Sequence, residues 1–393
     1  MSSPVGGRAA VDGTTAPGFE AVRDAFADNL ESGRDVGAAF AAYHHGRKVV
    51  DLWGGIADPA TGRPWEEDSI VLVFSTTKGA TALCANMLAE RGMLDVNAPV
   101  VRYWPEFAQG GKAEIPVKYL LSHQAGLAWI DGEMSLEEAL SWEPVVSALA
   151  RQEPHWEPGE RHGYHATTYG WLVGEVIRRI TGTSVGTFFR TEIAEPLRLD
   201  FWIGLPEEQE PRVVPLIPFE LPGGIDIREA MDAFLGADSA MGKALTAPGG
   251  ALDEQVWNLR AVRAAEVPAA NGVTDARSVA RMYASMIGET DGIRLLGQDQ
   301  LKRATTQLTR GPNAVLFDLD IQFGLGFMVP SELIALGGPG SFGHFGAGGS
   351  VGWADPDAGL AVGYVMNRMD IGLAGDVRST SLFNAAYEAA TRS

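Results

Sequence analysis

Cysteine is almost missing from this 393-residue chain: Cys84 stands alone, which excludes an intrachain disulfide framework and any cysteine-cluster zinc or iron–sulfur site, and fits a reducing compartment. Basic residues are scarce as well, 31 Lys plus Arg against 50 Asp plus Glu, for a formal net charge of −19. A phosphate-binding surface needs clustered Lys and Arg, and no such block occurs, so nucleic acid is not an expected partner. Long apolar runs are also missing. The stretch 359–366 is far short of the ~20 residues that cross a bilayer, so no membrane partner is expected. Residues 1–15 are small and polar around a lone Arg8, without the basic start and apolar run of a secretory leader. The expectation is a cytoplasmic protein.

What is present is a hydrophobic fraction of 46% and a length that suits two or three structural units with a cleft between them. Residues 18–29 place Phe19, Val22 and Phe26 at helical spacing ahead of the breaker Ser32-Gly33. Two apolar runs, 37–43 and 49–53, flank His44-His45-Gly46-Arg47 and predict a hairpin. The run from Ile70 to Phe74 leads into Ser75, and residues 79–93, rich in Ala, Leu and Met, read as a buried helix. Helical stretches at 117–121, 136–140, 145–151, 169–181 and 185–192 then alternate with Pro/Gly loops. Between 216 and 250 the chain is apolar but broken by Pro218, Pro222, Gly223 and Gly224, and no element is assigned there. A helix at 275–287, strands at 349–352 and 359–366 and a closing helix at 380–391 complete the pattern.

Strands at both ends with helices between, and no βαβαβ alternation, predict an α/β fold of the α+β kind. Its antiparallel sheet is built from both chain ends and flanked by helices, with an inserted mostly α-helical domain. The expected division is 1–74 and 275–393 for the two parts of the α/β unit, with 75–274 as the helical unit.

Three segments offer chemistry. Of six lysines, Lys78 alone has a serine three positions before it. At a helix start, residues i and i+3 share a face, so Ser75 Oγ and Lys78 Nζ can meet beside the free N–H groups of the helix N-terminus. A buried lysine near a second proton carrier can be neutral enough to accept the serine proton. The second segment runs from Trp156 to Ala166 and sets Tyr164 at a loop-to-helix junction, where its phenol can face a cleft and, beside an ammonium, give up its proton more easily. A tyrosine packed under the loop is the competing reading. The third is Gly343-His344-Phe345-Gly346-Ala347-Gly348-Gly349-Ser350, whose glycine density lets another backbone or a ligand approach closely. A strand edge there can give one N–H of an oxyanion hole, with Ser75 giving the other; a glycine-rich bulge with a structural histidine is the alternative.

Together these resemble the serine β-lactamase and penicillin-binding-protein superfamily, with its signature S-x-x-K, then Y-x-N, then K-T-G or H-x-G. Leu120-Leu121-Ser122-His123-Gln124-Ala125-Gly126-Leu127 and Asn271-Gly272-Val273-Thr274-Asp275-Ala276-Arg277 are similar to further segments of that superfamily, in the same order. Within it the chain resembles the class C-related branch, and family VIII carboxylesterases most. The resemblance implies Ser75 as nucleophile, Lys78 and Tyr164 as the proton-transfer pair, the N–H groups of Ser75 and Ala347 as oxyanion hole, and His344, Phe345 and Gly346 as the third, substrate-binding motif. Which of Lys78 and Tyr164 accepts the proton stays open. Ala166 holds the usual asparagine position and His344 the usual lysine position. The first change removes an amide that would contact Lys78, and the second a permanent cation that would hold a β-lactam carboxylate.

Gly348-Gly349-Ser350-Val351-Gly352 also matches the G-x-S-x-G nucleophile elbow. That motif needs a helix after the serine and a later Asp and His; a Pro356 turn follows instead, and no histidine lies beyond His344. His44 and His45 are read as turn residues pointing apart, His123 as a loop holder, and one of His155, His162 and His165 as a neighbour able to tune Tyr164. No metal site is indicated, and no G-x-G-x-x-G opens a helix after a strand, so no dinucleotide cofactor is expected. Cys84 reads as core packing.

The expected function is a serine carboxylesterase that hydrolyses short-chain esters through an acyl-enzyme, without a cofactor, on a small-molecule ester. Trp129, Trp156, Phe234, Met241 and Phe345 are candidates for an apolar cleft or for core. A β-lactamase, a D-amino-acid amidase or peptidase, or an acyltransferase would use the same apparatus, and a silent binding protein is the reading outside enzymes.

Overall fold

A computed structural model describes residues 10–219, 239–246, 254–372 and 375–392. In chain order its strands are β1 (Val11–Thr15), β2 (Gly37–His44), β3 (Arg47–Asp58), β4 (Arg63–Pro64), β5 (Ile70–Leu72), β6 (Phe201–Trp202), β7 (Val213–Val214), β8 (Val273–Thr274), β9 (Gln322–Phe323), β10 (Met328–Val329), β11 (Phe342–Phe345), β12 (Val351–Asp355) and β13 (Leu360–Met366). The large sheet runs β1-β3-β2-β13-β12-β11-β10-β9 and is antiparallel throughout. Its centre is the pairing of β2 with β13, Leu360 opposite His44 through Met366 opposite Ala38, so the two chain ends make one sheet as expected. A smaller sheet, β6-β8-β5-β7, lies at the foot of the Ser75 segment.

The central strands are continuous apolar runs because both faces are covered: every residue of β12 and β13 is buried. On one face lies the helix Ala276–Ile287, started by Asp275, whose side chain accepts from the Ser278 N–H. It sits so close that a Cβ on Gly363 would stand 2.8 Å from the Ala280 nitrogen; a glycine is required by that approach. The terminal helices Glu20–Glu31 and Val377–Thr391 cover the other. The helical part holds Thr77–Glu90 and Thr168–Thr181, the former buried from Thr77 to Leu88. Cys84 lies in that helix with its thiol pushed up by burial.

Several expectations change. The N-terminal segment holds a strand, β1, paired with β3 from Val11 opposite Gly54 to Thr15 opposite Val50. Val-Asp-Gly-Thr-Thr has no apolar alternation, because an edge strand is held by its backbone ladder. The strand expected at 349–352 starts at Val351, since Gly348 (φ 82°) and Gly349 (φ 121°) turn the chain first. His44 and His45 do not point apart: His45 has φ 47°, which brings the two rings to 4.2 Å. Of the segment left unassigned, Met241 lies buried in the helix Ala240–Thr246, whereas Pro222, Gly223, Gly224, Met231 and Phe234 lie outside the described residues.

Candidate active site

Strand β5 ends at Leu72, and a tight turn, Phe74–Thr76, carries Ser75 into the helix Thr77–Glu90. Phe74 adopts φ 44°, a conformation that costs a non-glycine residue about 1–3 kcal/mol. Its ring packs edge-on against Trp257, 5.2 Å between centroids. The turn is braced by Thr77 Oγ1, which donates to the Phe74 carbonyl (2.5 Å) and accepts from the Gly272 N–H (2.9 Å), while the Val73 N–H donates to the Gly272 carbonyl (2.9 Å). From Ile70 to Leu88, Ser75 alone is not buried. The strained turn thus lifts one hydroxyl out of a dry helix.

Lys78 is fully buried, with Nζ 2.9 Å from Ser75 Oγ, 2.6 Å from the Ala166 carbonyl and 3.0 Å from the Ala269 carbonyl. Burial lowers its pKa well below the ordinary lysine value. A neutral amine fits the same three partners: two N–H bonds to the carbonyls, and a lone pair for the Ser75 O–H. Ala166 therefore contacts Lys78 through its main chain, although the side-chain amide is missing. The loop that carries Ala269 is braced by Asn271, whose side chain accepts from the Val267 N–H (2.9 Å) and donates to the Val262 carbonyl (2.8 Å).

Tyr164 completes the group. Its hydroxyl is hydrogen-bonded to the Ser75 side chain, and Lys78 Nζ stands 4.8 Å from its ring centroid. Phe323 stacks on the ring at 6.1 Å and 13°, and His123 lies at 5.0 Å. Burial pushes the phenol pKa up, and the Ser75 bond only partly offsets this. An ionised tyrosine is therefore disfavoured, against the expectation that the neighbouring ammonium would make its proton easier to lose.

Three histidines form the wall. His165 Nε2 accepts from the Leu127 N–H (3.0 Å), so its proton is on Nδ1, facing the Gly163 carbonyl at 2.6 Å. The His165 N–H donates to His123 Nδ1 (3.1 Å), placing the proton of neutral His123 on Nε2. His162 Nε2 faces the Ile321 carbonyl at 3.0 Å. Burial lowers all three pKa values. His123 holds the loop, as expected, and also packs directly on Tyr164. His155 instead stacks on Trp129, 3.7 Å between centroids, beside Asp131. Among the described residues no cluster of His, Cys, Asp or Glu could hold a metal ion, and no helix is long and apolar enough to cross a membrane.

The third segment enters through β11. His344 lies 6.1 Å from the Tyr164 ring, with Nδ1 2.7 Å from the Phe345 carbonyl and Nε2 buried without a partner. Burial, with Lys78 nearby, lowers its pKa to about 3. Phe345 faces away, packed on Trp353 at 5.5 Å. Gly346 passes the nucleophile turn so closely that a Cβ would strike the Val73 carbonyl and the Ser350 and Thr76 hydroxyls. From Ser341 to Asp355, Ala347 alone is not buried. Ser350 is buried, donating to the Val73 carbonyl (2.8 Å) and bonded to Thr76 Oγ1 (3.0 Å). It ties the glycine turn to the nucleophile turn. Trp156 and Phe345 are core residues at 8% and 3% exposure.

Sequence reasoning missed Asn313. Its Oδ1 accepts from the Tyr164 N–H (3.0 Å) and from the N–H groups of Val315 and Leu316 (both 3.1 Å). Its sequence shows only a turn; the partner lies 149 residues away.

Comparison with known proteins bears on the fold and the family. Residues 22–386 match the Beta-lactamase family. The chain is 39% identical over 366 residues to the "Esterase/beta-lactamase LipL" of Mycobacterium tuberculosis, covering 91% of this chain and 83% of that protein. Among solved structures, a family VIII carboxylesterase superposes with a TM-score of 0.87 at 37% identity, covering 97% of this chain and 100% of the other. A penicillin-binding protein homologue from Caulobacter crescentus gives 0.85 at 38% identity with the same coverage. The chain is a hydrolase with the β-lactamase fold, and it belongs to the Beta-lactamase family.

Proposed function

We propose that this protein is a serine carboxylesterase acting on short-chain, uncharged esters through an acyl-enzyme on Ser75. The observation that carries the reading is the contact of a partly exposed Ser75 hydroxyl with a buried Lys78 amine, 2.9 Å away and bonded otherwise only to carbonyls. Ser75 Oγ attacks the ester carbonyl and its proton passes to neutral Lys78. Tyr164, kept protonated by burial, relays a proton to the departing alkoxide. The N–H groups of Ser75 and Ala347 hold the developing oxyanion. What favours this pair is that Ser75 and Ala347 are the single unburied residues of their segments, and that Gly346, directly before Ala347, abuts the Ser75 turn. Water then repeats the sequence to free the acid. The cleft falls between the sheet unit (1–74 with 275–393) and the helical unit (75–274).

His344 sets the substrate class. A buried, neutral imidazole offers no permanent cation to a substrate carboxylate, which favours esters over β-lactams and D-peptides; Gly346 and Phe345 set the strand that carries it. The similarity to a family VIII carboxylesterase supports the same choice. Hydrolysis of p-nitrophenyl butyrate by the wild type and by Ser75→Ala, with mass mapping of a phosphonate adduct, tests the reading. Turnover lost in the variant and an adduct on Ser75 are expected; a variant that keeps full turnover overturns it. Rates on acetyl to palmitoyl esters are expected to fall with chain length. β-Lactam hydrolysis is the second reading, favoured by the double name of the Mycobacterium tuberculosis relative. A chromogenic cephalosporin turned over faster than the butyrate ester decides for it.

A further inference from the structure

Behind the glycine turn lies a fully buried guanidinium. Arg378, at the start of the last helix, is 1% exposed. Its Nε donates to Asp376 at 3.0 Å, Nη1 to the Arg368 carbonyl at 2.9 Å and to Asp35 at 3.3 Å, and Nη2 to the Gly348 carbonyl at 2.5 Å. Asp35 in turn accepts from the Tyr364 hydroxyl at 2.6 Å. Burying so many polar groups is costly unless each is paired. The carbonyl partners of Arg378 do not neutralise the cation, and one of them, that of Gly348, belongs to the glycine turn.

That carbonyl shares a planar peptide with the Gly349 N–H. The Gly349 N–H donates to the Gly346 carbonyl at 3.1 Å, and the Gly346 carbonyl shares its own planar peptide with the Ala347 N–H. Two rigid planes therefore connect the guanidinium to the backbone donor of the proposed oxyanion hole. Hydrogen bonds in series polarise one another, so a cation at the first carbonyl strengthens the N–H at the far end and fixes its direction. The turn has no slack on this side: a Cβ on Gly349 would stand 2.6 Å from Arg378 Nη2 and also strike Asp376.

We propose that Arg378 is a positioning residue for catalysis, orienting and polarising the Ala347 N–H through the Gly348–Gly349 and Gly346–Ala347 peptides. The inference rests on the oxyanion role proposed above for Ala347. Proline at 347 removes that N–H and suits the site, because Gly346 is extended (ψ 151°) and Ala347 is the first residue of a helical turn.

The test is a double-mutant cycle in the full-length protein with p-nitrophenyl butyrate, using Arg378→Gln, Ala347→Pro and both. Expected for Arg378→Gln are a kcat about 10- to 100-fold lower with KM within about twofold, and an equal loss of affinity for a trifluoromethyl ketone that forms a tetrahedral adduct on serine. In the Ala347→Pro background the second substitution has no further effect on kcat. Arg378→Lys keeps the cation but not the reach to Gly348; it runs the same cycle if the glutamine variant does not fold. Additive losses, or a folded Arg378 variant with wild-type kcat beside an inactive Ala347→Pro, overturn the positioning role and leave the oxyanion assignment standing. Full activity in Ala347→Pro overturns the oxyanion assignment itself, and the positioning role with it.

Discussion

Lys78 Nζ stands 2.9 Å from Ser75 Oγ, and its two remaining partners are the carbonyls of Ala166 and Ala269. Among the described residues no carboxylate contributes to the environment that sets its proton affinity, and burial lowers its pKa well below the ordinary lysine value. In the proposed mechanism the active form is the neutral amine, so kcat/KM is expected to rise with pH to a plateau, through a single ionisation well below the ordinary lysine value. Tyr164→Phe should lower the plateau about 10²- to 10³-fold and leave the midpoint in place. A midpoint that moves with the tyrosine would assign the base to Tyr164 instead.

Ser350 matches a nucleophile motif but acts as a clasp between two turns. Its loss unties the glycine turn from the Val73 carbonyl, at a cost of about 1–2 kcal/mol for the buried bonds. Ser350→Ala is expected to melt a few degrees lower and to retain a phosphonate adduct on Ser75. An unlabelled Ser350→Ala protein that is still folded would reverse the assignment.

The Asn313 side chain accepts three backbone N–H groups, one of them that of Tyr164. Asn313→Ala strands them, with an expected loss of about 2–4 kcal/mol and a kcat that falls more than KM rises. Asn313→Asp keeps the accepting oxygen and is expected to recover most of the stability in urea unfolding. Equal stability of the two variants would deny the side chain this role.

How much of this was legible in the sequence follows the range of each interaction. Ser75 and Lys78 are joined by helix geometry over three residues, so their contact could be read directly. The hairpin β2–β3 and the strand β13 announced themselves by local hydropathy. Tyr164 could be placed at a helix start, but its protonation could not, because that depends on Phe323 and His123 packing over it from distant segments. Asn313 and Arg378 act through bonds to backbone far along the chain, and a backbone partner leaves no mark on sequence pattern. Strand β1 was missed for the related reason that its ladder, not its side chains, holds it.

Asp35 gives a stability prediction. Burial, partly offset by Arg378 and the Tyr364 hydroxyl, raises its pKa from 3.8 to about 6. A raised carboxyl favours the folded state only while protonated, so this contribution is present below the unfolded value and is lost as pH rises through about 6. Asp35→Asn does not lose it. The melting temperature of the variant minus that of the wild type is therefore expected to grow between pH 4.5 and 7, on the order of 2 kcal/mol in stability. A difference independent of pH would remove Asp35 from the acid-linked terms.

The pairing of β2 with β13 has a consequence during synthesis. His44 finds its partner only when Leu360 has been made, about 15–60 s later at ordinary elongation rates. Until then the nascent chain carries the inner edge of β2 uncovered, a buried, alanine-rich strand with free backbone donors and acceptors. Any truncation before residue 360 leaves that edge permanently open. Premature termination thus yields not a smaller enzyme but a chain that seeks a strand from its neighbours.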